Sequence, residues 1–133
     1  MKKTIAAALA LLLCVGILLG GCAASNGKSP DQYKEIRWIA YDYSFCINPA
    51  DNCSGYYTFN DVKYNIKVSF DSSRLTAVDT ATDKELFSAD WLFEKNDDGA
   101  EMLYVYNMMF NTADYEDFKT NYAEFVSLKQ EKI

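Results

Sequence analysis

Two segments in the middle of the chain alternate regularly between apolar and polar residues. The first begins at Val62, and its apolar face consists of Val62, Tyr64, Ile66, Val68 and Phe70. The second lies between residues 87 and 94, and its apolar face consists of Phe87, Ala89, Trp91 and Phe93. A period of two residues is typical of an antiparallel strand that buries one face. We therefore predict a strand over each segment.

Further strands are predicted on either side of these two. Residues 35–46 place Ile39, Tyr41, Tyr43 and Phe45 on one face and Trp38 and Ala40 on the other. This pattern predicts one strand that ends at Cys46, followed by a turn over residues 47–52. Residues 102–110 are apolar on both faces, which favours a central strand covered on both sides. Asn96 to Gly99 is a hairpin turn signal, because asparagine and glycine tolerate positive φ.

The period changes near the carboxyl end of the chain. Tyr115, Phe118, Tyr122 and Phe125 recur at helical spacing, which predicts an amphipathic helix over residues 113–129. We expect this aromatic stripe to pack on the sheet; the alternatives are a partner groove or a cofactor site. The predicted fold class is therefore α+β, mainly an antiparallel β meander (a curved sheet or small barrel) with one C-terminal amphipathic helix.

The amino-terminal segment has the three parts of an export leader. Lys2 and Lys3 precede an apolar run from Ile5 to Leu19, and small residues then precede Cys22. As a helix the run would span roughly 22 Å, which is shorter than the roughly 30 Å of a bilayer core. This length favours a cleaved leader over a permanent membrane span. An ordinary secretory leader cut near Ala23 and an uncleaved anchor are the alternatives.

The sequence Leu19-Gly20-Gly21-Cys22 resembles the lipobox of bacterial lipoprotein precursors. The resemblance implies cleavage before Cys22, diacylglycerol on its sulfur and, usually, an acyl chain such as palmitate on its new amino group. Residues 1–21 would then be the signal peptide. The protein would be lipid-anchored and extracytoplasmic, at the cell membrane or the outer membrane, since two or three acyl chains hold a protein on a bilayer.

Removal of the leader leaves one domain's length of chain. Taking 21 of the 133 residues away leaves 112, with a small polar segment, residues 22–34, that we predict to be a flexible tether. Residues 35–133 are then a single β-rich domain. The leader takes two of the 13 basic residues and none of the 19 acidic ones, so the formal charge becomes −8. Nucleic acid is an improbable partner for such a surface.

Cys46 and Cys53 are the two thiols that remain if residues 1–21 are cleaved and Cys22 is lipidated. An exported domain meets oxidising conditions, so we predict a disulfide between them. The alternatives are a metal or redox site, but the chain has no histidine and the spacing is not C-x-x-C.

No motif in the sequence identifies a reaction, a metal site or a cofactor. Without histidine there is no imidazole base, which excludes Ser-His and Cys-His catalysis. A carboxylate pair is the remaining catalytic possibility, with Asp42 and Asp90 as its best candidates. Possible binding residues are Trp38, Tyr41, Tyr43, Asp42 and Asp90.

Three classes of function remain. We expect a non-enzymatic binding or interaction module for an unknown protein or small-molecule ligand. The alternatives are an inhibitor or protective protein that blocks a specific protein partner, with loop 46–53 as a rigid projection, and, as the least favoured class, a carboxylate-based hydrolase. An open aromatic-lined cavity would favour a small ligand, whereas a filled core with a protruding 46–53 loop would favour a protein partner.

Overall fold

A computed structural model describes residues 29–119 and 125–133 of the chain. The leader, Cys22 and most of the predicted tether lie outside the described residues. The described residues form eight antiparallel strands that close into a barrel, each strand pairing with the next and the last pairing with the first. The strands are β1 (Ile36–Ala40), β2 (Phe45–Asn48), β3 (Ser54–Phe59), β4 (Val62–Phe70), β5 (Arg74–Asp79), β6 (Lys84–Lys95), β7 (Glu101–Phe110) and β8 (Phe125–Lys132).

The two alternating segments form β4 and β6, and their inward residues come from the apolar faces seen in the sequence. Ile66 and Val68 of β4 and Phe87 and Ala89 of β6 are buried, whereas Lys67 is exposed. The β-rich character predicted from the sequence is therefore confirmed. Closure of the sheet removes free strand edges, so the backbone groups of every strand find partners on both sides.

Aromatic side chains fill the interior of the barrel. Trp38, Phe45, Phe87 and Phe118 are fully buried, and the rings of Phe45 and Phe87 meet edge to face with centroids 5.6 Å apart. Edge-to-face contacts suit the ring quadrupole and add to the free energy gained by burying apolar surface. The interior is therefore a packed core.

The prediction of a C-terminal helix over residues 113–129 is wrong, and with it the α+β class. Among the described residues of that range there is a single 3-10 turn, Glu116–Phe118, and Phe125 onward belongs to β8. Residues 120–124 lie outside the description. β8 pairs with β7 on one side and β1 on the other, which satisfies the edges of both. This tertiary gain outweighs a local helical pattern that short sequence windows can produce by coincidence.

The predicted strand over residues 35–46 is two strands joined by a turn. β1 ends at Ala40, and the chain reverses through residues 41–44 before β2 begins at Phe45. The reversal shifts the alternation, so Phe45 joins Trp38 in the core while Ile39 is buried outside that cluster. The turn at residues 41–44 contains neither glycine nor proline, so no clear sequence signal marked this break.

The folded part also begins earlier than the predicted boundary at residue 35. A 3-10 turn over Pro30–Gln32 packs on the barrel, with Pro30 buried. The indole Nε1 of Trp38 donates a 3.0 Å hydrogen bond to the carbonyl oxygen of Pro30. The last residues of the predicted tether are therefore part of the domain.

The two ends of the barrel differ, and we name them by where the chain enters. The entry end holds Ser29, residue 133 and the turns after β2, β4 and β6. The far end holds the turns after β1, β3 and β5 and the connection between β7 and β8. The ring of Phe118 closes part of the far end by stacking on Phe110 and Phe59, at centroid distances of 4.5 and 4.2 Å.

Candidate functional site

The turn between β1 and β2 presents two tyrosines to solvent at the far end. Tyr41 is 60% exposed and Tyr43 is 50% exposed, although large aromatic side chains normally contribute to the core. The backbone N–H of Tyr43 donates to the carbonyl oxygen of Ala40 at 2.9 Å, which closes the turn. Two aromatic rings are therefore held outside the barrel on a hydrogen-bonded turn.

Asp42 fixes the other half of this turn. Its Oδ1 accepts hydrogen bonds from the backbone N–H of Ser44 at 3.1 Å and from the Ser44 hydroxyl at 2.6 Å. These bonds favour the ionised form and hold the pKa of Asp42 below its ordinary value. The far end therefore carries a fixed carboxylate between two exposed rings.

Tyr43 adopts a backbone conformation that disfavours its side chain. Its φ is +61°, in the left-handed region that a residue with a Cβ enters at a cost of roughly 1–2 kcal/mol. Its hydroxyl donates to Glu131 at 3.3 Å on the outer face of the barrel. Glycine would adopt this φ without strain, and non-glycine residues in strained conformations of this kind concentrate at binding and active sites.

A cleft of about 550 Å³ opens beside this turn; we call it the Tyr41 cleft. Its walls come from the end of β1, the following turn, the end of β3 and the start of β8. The lining residues are Ala40, Tyr41, Asp42, Ser44, Tyr57, Thr58, Phe59, Phe125, Val126 and Ser127. Four of these are aromatic, three are serine or threonine and one is charged, so the cleft combines apolar rings with several polar groups.

Asp42 provides the charge of the Tyr41 cleft. Burial raises the pKa of Tyr57 to about 12, and the Asp42 carboxylate contributes to the same shift.

The outer wall continues the aromatic surface of the cleft. The ring of Phe125, 58% exposed, stacks on Tyr104 of β7 with centroids 5.7 Å apart. The Tyr41 hydroxyl lies 4.0 Å from Met102 Sδ, and Lys129 Nζ lies 5.1 Å from the centroid of the Tyr41 ring. Tyr41 thus bridges the cleft and the outer face of β7 and β8.

The structure brings together three of the five predicted binding residues. Tyr41, Asp42 and Tyr43 share the turn at the far end, whereas Trp38 is fully buried near the entry end and contacts Tyr33 and Phe93. Trp38 therefore belongs to the core. Trp38 was predicted to be a binding residue because the pattern of residues 35–46 predicts one strand, which the structure divides into β1 and β2.

Asp90 lies apart from the Tyr41 cleft, on the outer side of β6. Its Oδ1 pairs with Arg74 at 2.6 Å, and its Oδ2 accepts from the Asn107 side chain at 2.9 Å. Asp42 and Asp90 therefore do not form a catalytic pair around one cleft. Among the residues that line the Tyr41 cleft, no second carboxylate accompanies Asp42.

The predicted disulfide is not formed in the structure, where Cys46 and Cys53 are both free and buried. Cys53 belongs to the inner core cluster, but Cys46 alternates with the inward residues Phe45 and Ile47 and lies outside that cluster. The two cysteines are therefore buried in different surroundings, Cys53 within the core cluster and Cys46 outside it. Burial raises the pKa of each thiol, which keeps both protonated.

One side of loop 46–53 packs against the rest of the barrel. Pro49 is buried in a 3-10 turn over Pro49–Asp51, and Lys34 Nζ donates to its carbonyl oxygen at 3.0 Å. Ala50, Asp51 and Asn52 are exposed. The loop is therefore anchored at Pro49 and presents its tip to solvent at the entry end.

Sequence reasoning missed Phe125, Tyr57 and Phe59 as parts of the site. Phe125 was assigned to a helix stripe, and the other two lie on β3, which the sequence did not mark strongly. The turn at residues 41–44 was not predicted from the sequence. This turn places the ends of β1 and β3 at the same end of the barrel, on either side of β2.

Comparisons with family models, with curated proteins and with solved structures found no match to this chain. In the parts of the chain that the structure describes, no helix is long and apolar enough to cross a membrane. Within the same ranges, no group of three or more cysteine and acidic side chains is placed to hold a metal ion.

Proposed function

We propose that this chain is a lipid-anchored, extracytoplasmic binding module that engages its partner through the Tyr41 cleft at the far end of the barrel. One observation carries the proposal: the aromatic residues of the interior are packed in a filled core, while exposed aromatic residues gather around the cleft. A filled barrel leaves binding to the surface.

The path of the chain supports this orientation. Six residues separate Cys22 from Ser29, and the seven Cα-to-Cα steps of this connection span at most about 25 Å when extended. Ser29 lies at the entry end, so a lipid on Cys22 would keep that end near the bilayer. β7 has ten residues and, at the usual tilt of barrel strands, rises roughly 25 Å toward the far end. The cleft would then face away from the membrane.

The strain at Tyr43, which belongs to the same turn but does not line the cleft, supports a role for this turn. A glycine would relieve the left-handed backbone, yet the chain has a large exposed aromatic residue there. An exposed ring that contributes little to the core is consistent with a role in contacting a partner.

The anchor is tested by cell fractionation with two cysteine variants. We expect Cys22→Ser to abolish labelling by palmitate and to reduce the share of protein in the membrane fraction. Cys14→Ser is the matched control, because it removes a leader cysteine that does not follow the lipobox glycines. A Cys22→Ser protein that is still processed, labelled and membrane-bound would contradict the anchor.

The binding site is tested by photo-crosslinking in intact cells. A photoreactive phenylalanine analogue replaces Tyr41 at the far end or Ile133, which is 71% exposed, at the entry end. We expect a discrete adduct from position 41 that Phe125→Ala weakens, and none from position 133. Equal adduct yields from both positions, or a yield from position 41 that Phe125→Ala does not change, would argue against the cleft as the binding site.

A further inference from the structure

We propose that the Tyr41 cleft receives a cationic side chain, an arginine or a lysine, from a basic segment of a partner protein. The inference rests on the proposed function and specifies the chemistry of its partner.

The first argument is the charge of the cleft. Its ten lining residues include one carboxylate, Asp42, and no lysine or arginine. A cation that enters the cleft therefore meets one fixed negative charge and no positive lining residue.

The second argument is the unused bonding capacity of Asp42. Both hydrogen bonds from Ser44 end on Oδ1, and within the described ranges no hydrogen bond ends on Oδ2. A carboxylate accepts several hydrogen bonds, and a guanidinium or ammonium group is the donor that binds it most strongly. The Ser44 bonds also keep the carboxylate ionised and oriented before a ligand arrives.

The third argument is the aromatic lining. Tyr41, Tyr57, Phe59 and Phe125 surround the cleft, and the faces of aromatic rings attract cations. The chain itself provides an example, because Lys129 Nζ lies 5.1 Å from the centroid of the Tyr41 ring. An incoming cation would use Tyr41 in the same way and would compete with Lys129 for it.

The fourth argument is the charge of the whole protein. The chain has a formal charge of −6, which becomes −8 if residues 1–21 are removed, so its field attracts basic proteins over longer distances. Charge complementarity of this kind raises association rates, and salt reduces this gain because it screens the attraction. A neutral carbohydrate could also stack on the exposed rings, and the experiment separates that ligand from a cation.

The experiment uses the full processed protein in detergent micelles and follows the NMR signals of Tyr41 and Phe125. The probes are N-acetyl-arginine amide and its uncharged isostere N-acetyl-citrulline amide, followed by an acetylated and amidated Gly-Gly-Arg-Gly-Gly peptide. We expect saturable shifts with the arginine probe, at least tenfold weaker binding of citrulline, and tighter binding of the peptide than of the single residue. Binding should weaken as salt is raised.

Three substitutions distinguish the cleft from a general effect of charge. Asp42→Asn should weaken binding of the arginine probe about tenfold, as expected for loss of a charge-assisted hydrogen bond. Asp98→Asn makes the same charge change in the hairpin at the entry end and should leave the affinity unchanged. Lys129→Gln removes the competing ammonium from Tyr41 and should strengthen binding about two- to threefold, a gain that a purely structural role would not produce.

Equal binding of arginine and citrulline, equal effects of Asp42→Asn and Asp98→Asn, or preference for a neutral oligosaccharide would overturn the proposal. Binding of choline without binding of the arginine peptide would also overturn it, because the occupant would then be a small cation. If any of these results is obtained while the crosslink from position 41 persists, the proposed binding function still stands and only the cationic side chain is excluded. Loss of that crosslink would contradict the proposed function itself.

Discussion

The two ends of this barrel are built from the same kinds of residue but differ in how far their aromatic side chains are exposed. At the entry end, Trp38, Tyr33 and Phe93 meet edge to face with centroids between 5.4 and 5.7 Å apart, and the indole is hydrogen-bonded. At the far end, Tyr41 and Phe125 are more than half exposed beside an open cleft. Aromatic residues are therefore packed at the entry end, whereas the far end combines packed rings such as Phe118 with the exposed rings of Tyr41 and Phe125. Substitutions at the entry end should change stability, and those around the cleft should change binding.

The largest expected effect is that of Trp38→Ala at the entry end. It removes a fully buried indole and leaves the carbonyl oxygen of Pro30 without its donor, so we expect a loss of about 3–5 kcal/mol in the free energy of unfolding. Urea denaturation measures the loss. Trp38→Phe keeps most of the ring volume and should cost clearly less; equal losses for both would mean that cavity formation is not the cause.

The next largest effect is that of Gly55→Ala on β3, also toward the entry end. A Cβ at Gly55 would collide with the backbone carbonyl oxygen of Cys46 on β2, which cannot move without disturbing the sheet. We expect a loss of about 1–3 kcal/mol or more, as for overpacking, measured by thermal and urea unfolding. Gly99→Ala is the control for space, because nothing lies within 4 Å of its Cβ position, although its φ of +83° adds its own strain. A neutral Gly55→Ala would show that β2 and β3 approach less closely than described.

A gain in stability is expected from Tyr43→Gly at the far end. Glycine adopts the left-handed φ without strain, so the free energy of unfolding should rise by about 1 kcal/mol after the entropic cost of glycine is subtracted. Tyr43→Ala, which retains a Cβ, should show no such gain. A destabilised Tyr43→Gly protein would mean that the ring contributes more to the fold than its exposure indicates.

The smallest effect concerns the pH dependence that Asp42 confers. Its pKa is lowered in the folded state by the hydrogen bonds from Ser44, so the ionised form stabilises the fold. That contribution is present above the ordinary aspartate pKa of about 3.9 and is lost as the pH falls through the lower folded value. Asp42→Asn should therefore flatten the fall of stability below about pH 4, measured by urea unfolding at several pH values. An unchanged profile would indicate that Ser44 does not stabilise the carboxylate.

Part of the fold followed directly from local pattern. Alternation at Ile66 and Val68 and at Phe87 and Ala89 identified strands and their inward faces, because a strand buried on one side must alternate. The same alternation misassigned Phe45, since a turn at residues 41–44 shifts the register by an amount that the pattern does not reveal. Tyr41, Asp42 and Tyr43 were predicted as binding residues, but the turn that exposes them was not predicted.

The sequence by itself determined the strands of the middle of the chain, the acidic balance and the grouping of polar and aromatic residues near position 42. It also contains the lipobox-like leader, whose role remains a prediction. Only the tertiary structure decided that residues 125–132 form a strand, that Cys46 lies outside the core cluster to which Cys53 belongs, and that Phe125 and Tyr41 line one cleft. The physical reason is closure: β8 satisfies the backbone edges of β1 and β7 at once, and this gain comes from partners far away in the chain.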